Sequence, residues 1–112
     1  MKGIDIKADK NRTLRYSINT MITFKREKGV DFATALASLE NGLDFELLRY
    51  IFYLGLRWED PELTEDKAGE IMDIIIEENG IEGLSNILVE AVQIALGVKE
   101  AQGDMTKNQV SH

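Results

Sequence analysis

The sequence predicts a mainly α-helical protein, with an N-terminal β-hairpin followed by about five short-to-medium helices in a compact array. Three observations predict it. Near the N-terminus, apolar residues alternate with polar ones on both sides of a short polar turn, the period of half-buried strands. Beyond that point, capping residues and Gly, Asn-Gly and Pro divide the chain into runs with helical apolar spacing,. The connections between the runs are short, with no linker, repeat or low-complexity tract, as expected of helices that pack as neighbours.

The hairpin is expected over about residues 3–18. In GIDIKA, Ile4, Ile6 and Ala8 fall on one face and Asp5 and Lys7 on the other. Asp9-Lys10-Asn11-Arg12 reads as the turn, and TLRYSI then places Leu14, Tyr16 and Ile18 on one face. A lone hairpin is marginally stable, so its apolar face must pack on the remainder. Ser17 is the N-cap of a first helix running to about Lys28 and stopped by Gly29, with Met21, Ile22 and Phe24 as its apolar side,. Asp31 caps a short helix, FATALASLE, closed by Asn41-Gly42. Asp44 caps a third, which extends to Glu59 ahead of Pro61,. Thr64 caps a fourth, with Glu65 and Asp66 in the first turn, where the helix dipole favours negative charge,. Asn79-Gly80 ends it, and a fifth helix is expected from about Ile81 to Ala101. Residues 1–102 thus form one domain, and 103–112, polar and aperiodic, a flexible tail,.

The 112 residues include no cysteine, which excludes disulfides and thiolate metal sites,. The opening MKGIDIKADKNR lacks the apolar run of a signal peptide,. No apolar run approaches the roughly 20 residues that cross a bilayer. A soluble intracellular protein with no membrane contact is therefore expected. The one histidine is His112, at the end of the polar tail, so no Ser-His or Cys-His nucleophile can be assembled,. Glycines occur singly at or inside helices, not in a phosphate loop,. The acidic turn EDPELTED places Pro61 and Leu63 where a calcium loop needs ligands, and no glycine follows at the sharp turn,. The expectation is a protein without enzymatic activity, cofactor or metal.

Charge is divided unevenly. Residues 1–29 hold eight basic and three acidic side chains, a net +5, and the rest five basic and seventeen acidic, a net −12. The basic end, with Lys2, Lys7, Lys10, Arg12 and Arg15, meets either nucleic acid or an acidic protein surface, or is a solvated face. Lys25, Arg26 and Lys28 cluster at a helix C-terminus, where cations are favoured in any case. The −12 body repels phosphate, which argues against nucleic acid.

The stretch LLRYIFYLGLRWEDPELTED is apolar on nearly every side before it turns acidic. On a helix, Phe45, Leu48, Phe52 and Leu56 form one stripe, which Leu47, Ile51 and Leu54 widen. Tyr50 and Tyr53 extend onto the other flank, and Trp58 lies at the far end. A surface helix needs an apolar stripe of only about 100°, so this one is either central to the fold or also faces a partner. The last helix repeats the excess, with rows containing Leu84, Leu88, Ala91 and Ala95, and Ile87, Val92, Ile94 and Val98. Leu48, Ile51, Phe52, Leu56, Trp58, Leu88, Val92 and Ala95 are therefore candidates for partner contact or self-association, with plain core as the alternative for each.

The order of these elements resembles the tail assembly chaperones of long-tailed bacteriophages and their prophages. The likeness spans roughly residues 3–100 and rests on Leu54-Gly55-Leu56, Asp60-Pro61, Leu63-Thr64-Glu65 and Glu78-Asn79-Gly80. These are signatures of a fold rather than of chemistry, and the ending GDMTKNQVSH carries none of the likeness. The resemblance implies a protein that coats the tape measure protein, a long, helical, aggregation-prone chain, and helps recruit tail tube subunits around it. It also implies action in the cytoplasm of the bacterial host and absence from the mature virion. The +5 end and −12 body suggest a head-to-tail homo-oligomer, whose heterologous contact closes into a ring or continues as a spiral. Two other readings stand beside it: a small phage regulator that uses the basic hairpin or first helix on DNA, and, within what the resemblance implies, a structural tail or neck subunit.

Overall fold

The computed structural model describes residues 3–98. Strands β1 (Ile4–Lys7) and β2 (Asn11–Leu14) form an antiparallel hairpin. Four helices follow: α1 (Ile18–Lys28), α2 (Phe32–Ser38) with a 3-10 turn at Leu39–Asn41, α3 (Phe45–Leu56) and α4 (Glu65–Ala95). The structure is thus mainly helical behind an N-terminal hairpin. Lys2, the stretch expected to carry the last helix to Ala101, and the tail 103–112 with His112 lie outside the described residues.

Each helix starts at the residue whose side chain can satisfy its free amides. Ser17, Asp31, Asp44 and Thr64 accept from the backbone N–H groups of Thr20, Thr34, Leu47 and Lys67. Such caps typically stabilise by about 1 kcal/mol each. Gly29, at φ 79°, ends α1 and donates its N–H to the Lys25 carbonyl, a left-handed cap that suits a residue without Cβ.

The hairpin pairs Ile4 with Leu14 and Ile6 with Arg12. Ile4, Ile6, Leu14 and Tyr16 are buried. Two expectations about it fail. Ile18 does not continue the apolar face; it is 61% exposed in the first turn of α1, because Ser17 has already switched the period from two to 3.6. Arg12 is not a turn residue available to a partner. It is 5% exposed, within the strand, where its Nε bonds Asp9 at 2.8 Å and its Nη1 reaches Asp60 at 3.3 Å. The guanidinium, aided by Lys67, holds the Asp9 carboxyl at about 2, down from 3.8. A buried cation tolerates its site only when paired in this way.

The outer edge of β2 is bound to the end of α3. Arg15 N–H donates to the Gly55 carbonyl at 2.9 Å, and Thr13 N–H to Glu59 at 3.1 Å. The Trp58 indole donates to the Thr13 carbonyl at 3.0 Å, and the Tyr16 hydroxyl to the Ile51 carbonyl at 2.7 Å. These bonds explain why α3 stops at Leu56 rather than Glu59: the chain must leave the helix for Trp58 and Glu59 to reach the strand. They also anchor a hairpin too small to stand alone.

Helix α3 is the centre of the fold. Seven of its twelve residues are buried, which accounts for its width of apolar surface. Tyr50 is among them, with its ring 5.9 Å from Phe24, which stands edge-on to Phe32 at 5.3 Å. This aromatic cluster ties α1 and α2 to α3. Phe45, at the start of the apolar stripe, is 59% exposed in the first turn of α3. Helix α4 packs along α3 and buries Ile71, Met72, Ile75, Leu84, Leu88 and Ala91. Its expected break at Asn79-Gly80 is present: Gly80, at φ 77° and ψ 170°, lies outside helical geometry and divides α4 into two helical arms. The chain leaves α4 at Leu96, well before Ala101, with Gly97 at φ 77° and Val98 N–H bonded back to the Gln93 carbonyl.

Candidate functional site

The candidate site is an apolar groove between α2 with its 3-10 turn and the C-terminal half of α4. Leu36 and Leu39 form one wall, Leu88, Val89 and Val92 the other, and Leu48 of α3 the floor, with Leu43 at one end. Its volume is about 390 Å³. The local sequence explains the wall. Leu36, Leu39 and Leu43 recur at spacings of three and four, and the 3-10 turn with Gly42 beyond it swings Leu43 back towards α4. Leu43 stays 39% exposed and Val89 48% exposed. Large apolar side chains left in water around a shallow depression are a feature of docking surfaces.

The charge of the groove is one-sided. Its lining comes from two segments, residues 36–48 and 85–93, neither of which contains a Lys or Arg. The first carries Glu40, Asp44 and Glu46, and the second Glu90. Glu40 lies on the groove itself. An apolar floor within an anionic surround offers hydrophobic burial and attraction for cations.

The structure divides the sequence-derived candidates. Leu48, Leu88 and Val92 lie beneath the groove, but they too are buried core residues, so the exposed contact surface is Leu43 and Val89. Ile51, Phe52 and Leu56 are core residues of α3 away from the groove, so they are corrected from contact residues to core. Trp58, half-buried, is engaged within the chain by its bond to Thr13, with the Arg15 guanidinium 5.3 Å from its ring. Ala95 is half-buried beside the core. Of the basic end, Lys7 and Lys10 are exposed, Arg15 is half-buried over Trp58 and Arg12 is buried. The described N-terminal region therefore presents less positive charge than its composition suggests.

Sequence reasoning missed Leu36, Leu39, Leu43 and Val89. Leu36, Leu39 and Leu43 do follow a helical spacing, but it crosses the expected helix end at Asn41-Gly42. The exposed face of α1 was missed as well. Ile22, grouped with Phe24 on the apolar side of α1, is 44% exposed while Phe24 is buried.

Among the described residues, no group of three or more His, Asp or Glu side chains is placed to hold a metal ion. No helix among them is long and apolar enough to cross a membrane. Compared with protein-family models, with curated proteins and with solved structures, the chain finds no match.

Proposed function

We propose that this chain is a bacteriophage tail assembly chaperone. In this reading it binds the tape measure protein in the cytoplasm of the bacterial host, keeps it soluble and helps recruit tail tube subunits, without entering the mature virion. The observation that carries the reading is the apolar groove between α2 and α4, open along Leu43 and Val89. A groove of this kind suits the apolar face of a client helix. The anionic surround supports the same role, since net charge opposes nonspecific association of the loaded chaperone.

Three of the residues that carry the family resemblance have structural duties here. Gly55 lets the Tyr16 ring approach α3, Thr64 caps α4, and Gly80 divides it. They support a likeness of fold, with the client surface elsewhere on the molecule. Self-association into a ring or spiral belongs to the same proposal.

Co-expression with the neighbouring tape measure protein is the test. The client should be insoluble alone and co-purify in soluble form with this chain. Unchanged client solubility with no co-purification refutes the role.

A further inference from the structure

We propose that, in the absence of client, the groove of one copy receives the exposed ridge of α1 from a second copy. This inference rests on the groove being the client's seat. Ile18, Ile22 and Arg26 follow one another at i, i+4 and i+8, a single row on the helix surface,. Ile18 is 61% and Ile22 44% exposed, so the row presents apolar side chains to water. Lys25 and Arg26 end it with positive charge. Lys28 is already engaged, its ammonium 4.4 Å from the centre of the Tyr50 ring.

The two surfaces share apolar character and are opposite in charge. One is a row of exposed isoleucines ending in two cations, at the rim of a shallow depression shared with Phe32, and the other an apolar groove with Glu40 on it and no Lys or Arg in its lining. The nearby acids Glu27 and Asp31 oppose a perfect match, but Asp31 is occupied in capping α2. Among the described residues, α1 is the one helix that combines exposed isoleucines with clustered cations. Ridge and groove lie on different parts of one chain, so the contact is heterologous and repeats from copy to copy.

The contact also regulates the groove. Self-docking covers the apolar surface until a client helix displaces α1, which keeps an empty chaperone from collecting unintended partners. Oligomers then form reversibly, grow with concentration and weaken with salt.

Sedimentation velocity with two point variants tests this. Ile22→Asp damages only the ridge and Val89→Asp only the groove, both at exposed positions where the fold should survive, as circular dichroism will check. Each variant alone should stay monomeric at concentrations about tenfold above those at which the parent associates, because the contact would bury an unpaired carboxylate. Mixed one to one, they should form a heterodimer and nothing larger, since each brings one intact surface. A monomeric parent, variants that associate as the parent does, or a mixture that stays monomeric would each overturn the contact. Client binding separates this from the wider reading: Ile22→Asp retains its groove and should still solubilise the tape measure protein. If it does so while the contact fails, the function stands and only the self-docking falls.

Discussion

Replacing Gly55 by alanine should destabilise the protein, although alanine is the better helix former. Gly55 lies in the last turn of α3, where the hairpin crosses it. A Cβ there would meet Leu14 Cδ1 and Tyr16 Cζ at 2.6 Å and Tyr16 Oη at 2.7 Å. Carbon atoms in good contact are about 3.5–4.0 Å apart, so the neighbours must yield by roughly 1 Å. They have no room: Leu14 and Tyr16 are both buried in the core. Overpacking of this kind costs about 1–3 kcal/mol. Pushing Tyr16 aside also strains its 2.7 Å bond to the Ile51 carbonyl, and a buried hydroxyl left unpaired costs about 1–3 kcal/mol. The gain in helix propensity returns only about 1 kcal/mol. The net loss is about 2–3 kcal/mol, which for a domain of this size lowers the melting temperature by roughly 10–20 °C. Gly69→Ala is the control. Its Cβ would meet only the flexible Arg49 side chain, at 3.2 Å, so it should stabilise by up to about 1 kcal/mol. Thermal and urea denaturation read both. A Gly55→Ala protein as stable as the parent would refute the close approach of hairpin and helix.

Three further outcomes follow from the same contacts. Arg12→Met should cost about 1–3 kcal/mol in thermal denaturation, at the lower end for a broken buried pair because the abandoned carboxylates of Asp9 and Asp60 are partly open to water,. The depressed Asp9 pKa stabilises the fold above 3.8, and this contribution is lost as pH falls towards about 2,. Asp9→Asn should therefore show a shallower acid decline over that window in pH-dependent denaturation. Trp58 is the single tryptophan and bonds the hairpin at Thr13, so its fluorescence and the helical circular dichroism should change together on unfolding. Separate transitions would mean that the hairpin is not part of the cooperative unit.

Much of the fold was legible because it is local. The four caps and the positive-φ Gly29 and Gly80 are decisions made within a few residues. The hairpin's alternation was legible too, but not its end, since Ile18 fits both the strand period and the helix that Ser17 starts. Arg12 was misread because its burial depends on Asp60, distant in sequence. The site was legible only in part. Leu48, Leu88 and Val92 stood out as apolar, but apolarity alone does not distinguish them from Ile51 and Phe52 in the core. The groove exists because Leu36, Leu39 and Leu43 face α4 across a 3-10 turn, a relation set by tertiary packing.

The central claim is that a client helix lies in the α2–α4 groove, and hydrogen exchange on the soluble complex with the tape measure protein tests it most directly. The account predicts that client binding slows exchange over Leu36–Asp44, where the 3-10 turn and the loop to α3 form the open side of the groove, while the loop of the hairpin at Ala8–Lys10 exchanges as before. Unchanged exchange across Leu36–Asp44 in a complex that is nonetheless soluble would contradict it.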